Sequence, residues 1–188
     1  DWVNYQESRA KEYYEFRTWE EGTTIYGEIC RKSIGGIFAN VFGGEIRIQV
    51  RVPDGFPELE IQSMSGDTSL YGCNIESIRA GSFSGNVNAE KINANQLSFD
   101  SKSGDIHCRQ MNSRSLNVDT KSGDIDLMDV QAGSILARTL NGDIKGRSVQ
   151  GNTLFSSASG DVRIFTIKGN QIDASSISGD IELKEVKG

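Results

Sequence analysis

A glycine–acid turn returns along this chain at a nearly fixed interval, and that periodicity restricts the fold more than any other feature. The turn glycines are Gly66, Gly85, Gly104, Gly123, Gly142, Gly160 and Gly179, spaced 19, 19, 19, 19, 18 and 19 residues apart. Six of the seven are followed by Asp and the other by Asn86; Ser precedes six, and Asn141 precedes Gly142. Self-similarity at such a period marks a chain in which each segment is one structural unit stacked on the next.

Columns counted from each glycine show which side chains point inward. Two residues on stand Thr68, Val87, Ile106, Ile125, Ile144, Val162 and Ile181; four on stand Leu70, Ala89, Cys108, Leu127, Gly146, Ile164 and Leu183. A period of two is that of a strand. Seven on stand Cys73, Ile92, Met111, Val130, Val149, Ile167 and Val186. Twelve on stand Ile78, Leu97, Leu116, Ile135, Leu154 and Ile172, and fourteen on stand Ala80, Phe99, Val118, Ala137, Ser156 and Ala174. Each coil therefore carries at least two short strands with a lone inward residue between them. The pattern does not sustain the i, i+3, i+4, i+7 stripe of an amphipathic helix. An antiparallel meander would have no reason to place like residues at every turn. Parallel stacking does, at about 4.8 Å per coil, so seven coils span roughly 30 Å.

The expected fold is thus all-β, a single-stranded β-helix (β-solenoid) of about seven coils over residues 51–188. The crossover rule predicts a right-handed coil, although short-repeat left-handed helices are an exception. Each turn glycine is expected to supply a positive φ. A second corner carries Asn74, Asn93, Asn112, Gln131, Gln150, Lys168 and Lys187, followed mostly by small residues, and its amides are expected to stack as a ladder. The lost residue of the 18-residue coil is placed before Gly160.

Residues 1–50 leave the register and are expected to form an irregular amino-terminal cap or arm with the first strands, because an open solenoid end exposes strand edges. Residues 4–16 read as a short helix or an extended arm, and residues 24–29 and 45–52 as strands. Within residues 182–188 the chain stops inside a coil, so either further chain or a contact surface is expected there.

Composition narrows the partners. A net charge of −6 argues against nucleic acid, whose phosphates require a clustered basic surface, and disfavours an anionic membrane face. No apolar run approaches the roughly 20 residues needed to span a bilayer. The chain begins at Asp1 without a Met, so a processed or trimmed amino terminus is expected, and any membrane anchor would lie in segments outside this chain. Cys30, Cys73 and Cys108 form no Cys-x-x-Cys pair, which leaves no zinc site; Cys73 and Cys108 fall on core columns and read as buried structural thiols.

The segment Ile46-Arg47-Ile48-Gln49-Val50-Arg51-Val52-Pro53-Asp54-Gly55, followed by Leu59-Glu60-Ile61-Gln62-Ser63-Met64-Ser65-Gly66-Asp67 and the recurring Ser-Gly-Asp-Ile turns, resembles a bacterial family of adhesin-labelled β-solenoid domains of unknown function. The match covers about residues 45–188. The resemblance implies a cell-envelope or extracellular setting and carries no catalytic residues to transfer; a cytoplasmic setting is the alternative. Asn86 in place of the turn Asp, and the shortened coil, are departures.

Candidate chemistry is sparse. The column Asp67, Asp105, Asp124, Asp143, Asp161 and Asp180 could ligate calcium, which takes six to eight oxygens, but the glycine-dense calcium nonapeptide is absent and turn chemistry explains the aspartates better. Outward columns are mixed: Tyr71, Glu90, Arg109, Met128, Arg147, Phe165 and Lys184 in one, Asp100, Asp119 and Arg138 in another. The second could be a small polar patch, yet a solvated sheet face is favoured. His107, the only histidine, points outward while Cys108 points inward, which excludes a shared nucleophilic site. Phe155 and Phe165, with Leu136 and Met128, are expected outside, either as an apolar strip for a partner or as scattered surface apolars of the ordinary kind. No catalytic, metal or cofactor residues are assigned, and the ligand-binding residues are unknown. The favoured function is a non-catalytic cell-envelope adhesin-like or scaffold domain acting through its surface or solenoid ends, with a protein or cell-surface glycan as partner. A carbohydrate-active enzyme on a β-helix face and a self-assembling stack joined through solenoid ends are the alternatives.

Overall fold

The structure, a computed structural model, describes residues 54–188 together with the backbone of four short amino-terminal strands. The chain divides into two compact units, Asp1–Pro53 and Asp54–Gly188. In the first, β1 (Val3–Asn4) pairs antiparallel with β4 (Gln49–Val50), and β2 (Tyr14–Glu21) pairs antiparallel with β3 (Thr24–Arg31). Residues 24–29 thus lie in a strand, as their alternation predicts. Residues 14–17 are strand and not helix, with Phe16 opposite Ile29 and Trp19 opposite Tyr26 in the backbone register of the hairpin. The rest of residues 4–16, and residues 45–48 and 51–53, lie outside the described residues.

The second unit is the solenoid. Its strands are β5 (Glu58–Ser63), β6 (Thr68–Tyr71), β7 (Asn74–Ser82), β8 (Val87–Ser101), β9 (Ile106–Ser122), β10 (Ile125–Asn141), β11 (Ile144–Ser159), β12 (Val162–Lys168), β13 (Ile172–Ser178) and β14 (Ile181–Lys187). All pairing within it is parallel, coil upon coil. Ile106, Ile125 and Ile144 are direct register partners, so the aliphatic ladder predicted by the repeat is present. Phe99, Ile106, Cys108, Ile125, Leu127 and Ile164 are fully buried. Burying a side chain of this size contributes about 1.5–3 kcal/mol, and files of them hold the coils together.

Three features correct the sequence expectations. The middle corner buries two positions in two of the coils rather than one, Ile92 with Ala94 and Val130 with Ala132, and in the first coil Ile75 is buried where Cys73 is only partly so. The turn glycines mostly do not adopt positive φ; only Gly142 and Gly160, at 158° and 152°, reach the margin of that region. Their requirement is proximity: a Cβ on Gly85, Gly104, Gly123, Gly142, Gly160 or Gly179 would collide with the carbonyl oxygen of the turn glycine one coil before. Left-handed backbone occurs six residues after the turn instead, at Gly72 and at Lys91, Gln110, Asp129, Ser148, Thr166 and Glu185, the last six with φ between 51° and 61°. Each non-glycine there costs about 1 kcal/mol, and the bend it makes lets a run as long as the 17 residues of β9 and β10 wrap two faces.

The third correction concerns the short coil. Gln131 pairs with Gln150 and Ser134 with Asn152, so Ala132 and Gly133 oppose Gly151 alone. The missing residue is therefore at the middle corner, as a bulge, and not between Ser156 and Gly160, where the inward columns put it. Everything after it moves by one place. Thr153 and Phe155 point inward, and Leu154 and Ser156, expected inside, do not. Phe155 is fully buried, so it is not part of any exposed strip.

Candidate functional site

The polar side chains of the solenoid are used along its axis. Each turn aspartate accepts, through Oδ1, the backbone N–H of the residue one coil on: Asp105 from Asp124 at 2.8 Å, Asp124 from Asp143 at 2.8 Å, Asp143 from Asp161 at 2.9 Å and Asp161 from Asp180 at 2.7 Å. Asn86 performs the same task, accepting from Asp105 at 2.9 Å, and Asp67 accepts from Asn86 at 2.8 Å. The sequence departure at Asn86 is thus neutral in geometry, because an amide oxygen accepts where a carboxylate does. The outer carboxylate oxygens meet cations in the upper coils. Lys145 Nζ lies 3.0 Å from Asp124 and 3.5 Å from Asp143, and Arg163 bridges Asp143 and Asp161. The Asp161 N–H, with Lys145 and Arg163 beside it, holds the Asp143 carboxyl below the usual carboxylate range. Its bond to Asp124 raises the Lys145 ammonium in turn.

A second ladder was missed by sequence reasoning. Ser82, Ser101, Thr120, Thr139, Ser157 and Ser176 donate their hydroxyls to the carbonyl oxygens of Gly66, Gly85, Gly104, Gly123, Gly142 and Gly160, at 2.9–3.2 Å. The first five are buried. The signal was present as a column of Ser and Thr sixteen residues after most glycines, but a run of hydroxyls reads as solvent-facing unless the turn carbonyl beside it is known to need a donor.

The outward columns stand where the repeat put them. Tyr71, Glu90, Arg109, Met128, Arg147, Phe165 and Lys184 follow one another in register. Lys91 and Lys184 sit over the rings of Tyr71 and Phe165, at 4.8 and 4.9 Å. Of the expected apolar strip, Phe165 is exposed, Leu136 and Met128 are half-buried, and Leu154 replaces Phe155 beside Leu136. Asp100, Asp119 and Arg138 are likewise in register. Arg138 Nε donates to Asp119 Oδ2 at 3.1 Å. Burial, then the Asp119 charge, pushes the Asp100 carboxyl up, with Arg79 opposing. His107 Nδ1 lies 3.9 Å from Asp126 Oδ2, and Cys108 is buried, with burial driving its thiol strongly upward. Cys73 is only partly buried.

Among the described residues, a concave feature with converging polar groups lies at the middle corner of the early coils. A groove of about 420 Å³ runs along the axis there, flanked by Asn74, Asn93 and Asn112 on one side and Glu76, Asn95 and Arg114 on the other. The predicted amide ladder is present: Asn93 Nδ2 donates to Asn74 Oδ1 at 3.1 Å, and Asn112 Nδ2 to Asn93 Oδ1 at 3.2 Å. Asn95 Nδ2 donates to Glu76 Oε1 at 2.7 Å. Beneath these rows lie Ile75, Ala94 and Ser113, the last two small enough to leave the corner hollow above them. The ladder was legible from the sequence, and the facing row was not, since Glu, Asn and Arg share no type.

The family model described as Toastrack DUF4097 matches residues 6–187. No curated protein and no solved structure matches the chain.

Proposed function

Because the chain belongs to the Toastrack family, domains of unknown function, we propose that it is a non-catalytic scaffold or adhesin-like domain of the cell envelope that presents its outer surface to a protein or glycan partner. The observation that carries this is the axial use of polar groups. The turn aspartates bond the amides of the next coil and the Ser/Thr column bonds the turn carbonyls of the coil before. Groups so engaged reinforce a stack, and a stiff stack suits display better than turnover, which needs free groups converging on one reacting atom.

Protease shaving of intact cells carrying the native protein tests the setting. Release of the domain into the supernatant is the expected result, and full protection with recovery in the cytosol would overturn it. A second reading has one observation in its favour: Asp100, with its raised carboxyl, stands in register beside Asp119, and glycosidases act through two neighbouring carboxyl groups. Incubation with plant and bacterial cell-wall polysaccharides separates the two, because release of reducing ends that Asp100→Asn abolishes would establish the enzyme.

A further inference from the structure

We infer that the groove along the middle corner binds a linear, neutral oligosaccharide laid parallel to the solenoid axis; this rests on the non-catalytic display function above and names its ligand class. Each amide of the ladder has two N–H donors and a carbonyl oxygen with two lone pairs. At Asn93 the axial bonds engage one N–H and one lone pair, which leaves a donor and an acceptor side by side facing outward. A sugar hydroxyl both donates and accepts, so it complements such a rung, and the rungs recur about every 4.8 Å because the coils do. The ligand must therefore repeat along its length.

Charge selects against acidic polymers. The facing row contributes one carboxylate, Glu76, and one guanidinium, Arg114, which cancel formally, while Asn95 is tied to Glu76 at 2.7 Å. A phosphorylated or uronic chain would find a single cation within a chain of net charge −6. Vicinal hydroxyls, by contrast, can bridge Glu76 and Asn95, and the groove's 420 Å³ falls in the range of small-ligand sites.

The test is a side-chain amide NMR titration of the full chain with hexamers of β-1,4-linked glucose and of β-1,4-linked N-acetylglucosamine. Movement of the Asn74, Asn93, Asn95 and Asn112 NH2 signals is expected with at least one of them. Asn95→Ala and Arg114→Ala, both on exposed or half-exposed corner positions, should weaken binding about tenfold, with Arg138→Ala, in the outward Asp100–Asp119 column, unchanged. No movement at millimolar sugar, equal affinity in all variants, or binding of a polyuronate hexamer alone would each overturn the inference. A chain that keeps its melting temperature and its surface location yet binds neither hexamer sinks the groove and leaves the scaffold standing; cleavage of either hexamer sinks the scaffold.

Discussion

Two consecutive coils, residues 123–141 and 142–159, differ in length by one residue, and their comparison separates what the stack demands from what it tolerates. Both keep the turn glycine against its predecessor, the aspartate on the next amide, the left-handed residue and the buried hydroxyl. The shorter coil yields only at the middle corner, where Gly151 stands opposite two residues. Gly151 has φ 141° and passes so close to the Ala132 carbonyl that a side chain would not fit. Corner length is therefore negotiable, whereas the axial contacts are not. The shift has one cost: Thr153 enters the file of Ile135 and Ile172, and its hydroxyl is buried without a partner.

The comparison can be broken most forcefully at Phe155, which occupies the place of Ala137 in the longer coil and, like it, is fully buried. Phe155→Ala should lower unfolding free energy by about 4 kcal/mol in a denaturant titration; a loss under 1 kcal/mol would mean that Leu154, not Phe155, faces inward. Acid is the next probe. Asp143 has its carboxyl held below the unfolded value, so the stability it contributes is present above pH ~4 and is lost as pH falls toward its lowered value. Asp143→Asn keeps the Oδ1 acceptor, as Asn86 does, and should flatten the fall in melting temperature between about pH 5 and pH 3. An unchanged pH profile would show that the carboxylate is not coupled to folding.

A gain is expected at Thr153. Thr153→Val removes the orphaned hydroxyl at nearly constant shape and should add about 1 kcal/mol, a change that the longer coil, with Ile135 already there, has no room to show. The smallest effect sharpens the comparison by being equal on both sides. Asp129→Gly and Ser148→Gly relieve the same left-handed strain ahead of the bulge, and each should gain about 0.5 kcal/mol after the entropy of glycine is subtracted. Unequal gains would mean that the bulge reaches back across the corner.

These residues also show how far the sequence could be read. The turn glycines and the first-face columns were legible because each coil restates them beside its own marker. The 18-residue interval announced a loss without locating it: counting forward from Gly142 gives Leu154 and Ser156, counting back from Gly160 gives Thr153 and Phe155, and only pairing decides. The left-handed position was hidden because glycine marks it once, at Gly72, while later coils force Lys, Gln, Asp, Ser, Thr and Glu into it. Of the groove, the Asn ladder was visible as repetition. The Glu76–Asn95–Arg114 row was not, since neighbours brought together by stacking need not resemble one another.

The rungs between Gly85 and Gly142 join like groups in like geometry, which gives the rod a natural unit of growth. A nineteen-residue cassette taken from one turn glycine to the next within that stretch carries a matching upper and lower surface, so copying or excising one alters length by a single storey and leaves seams of the same kind. Reach, in such a molecule, is set by arithmetic on whole turns, independently of what the outer wall displays.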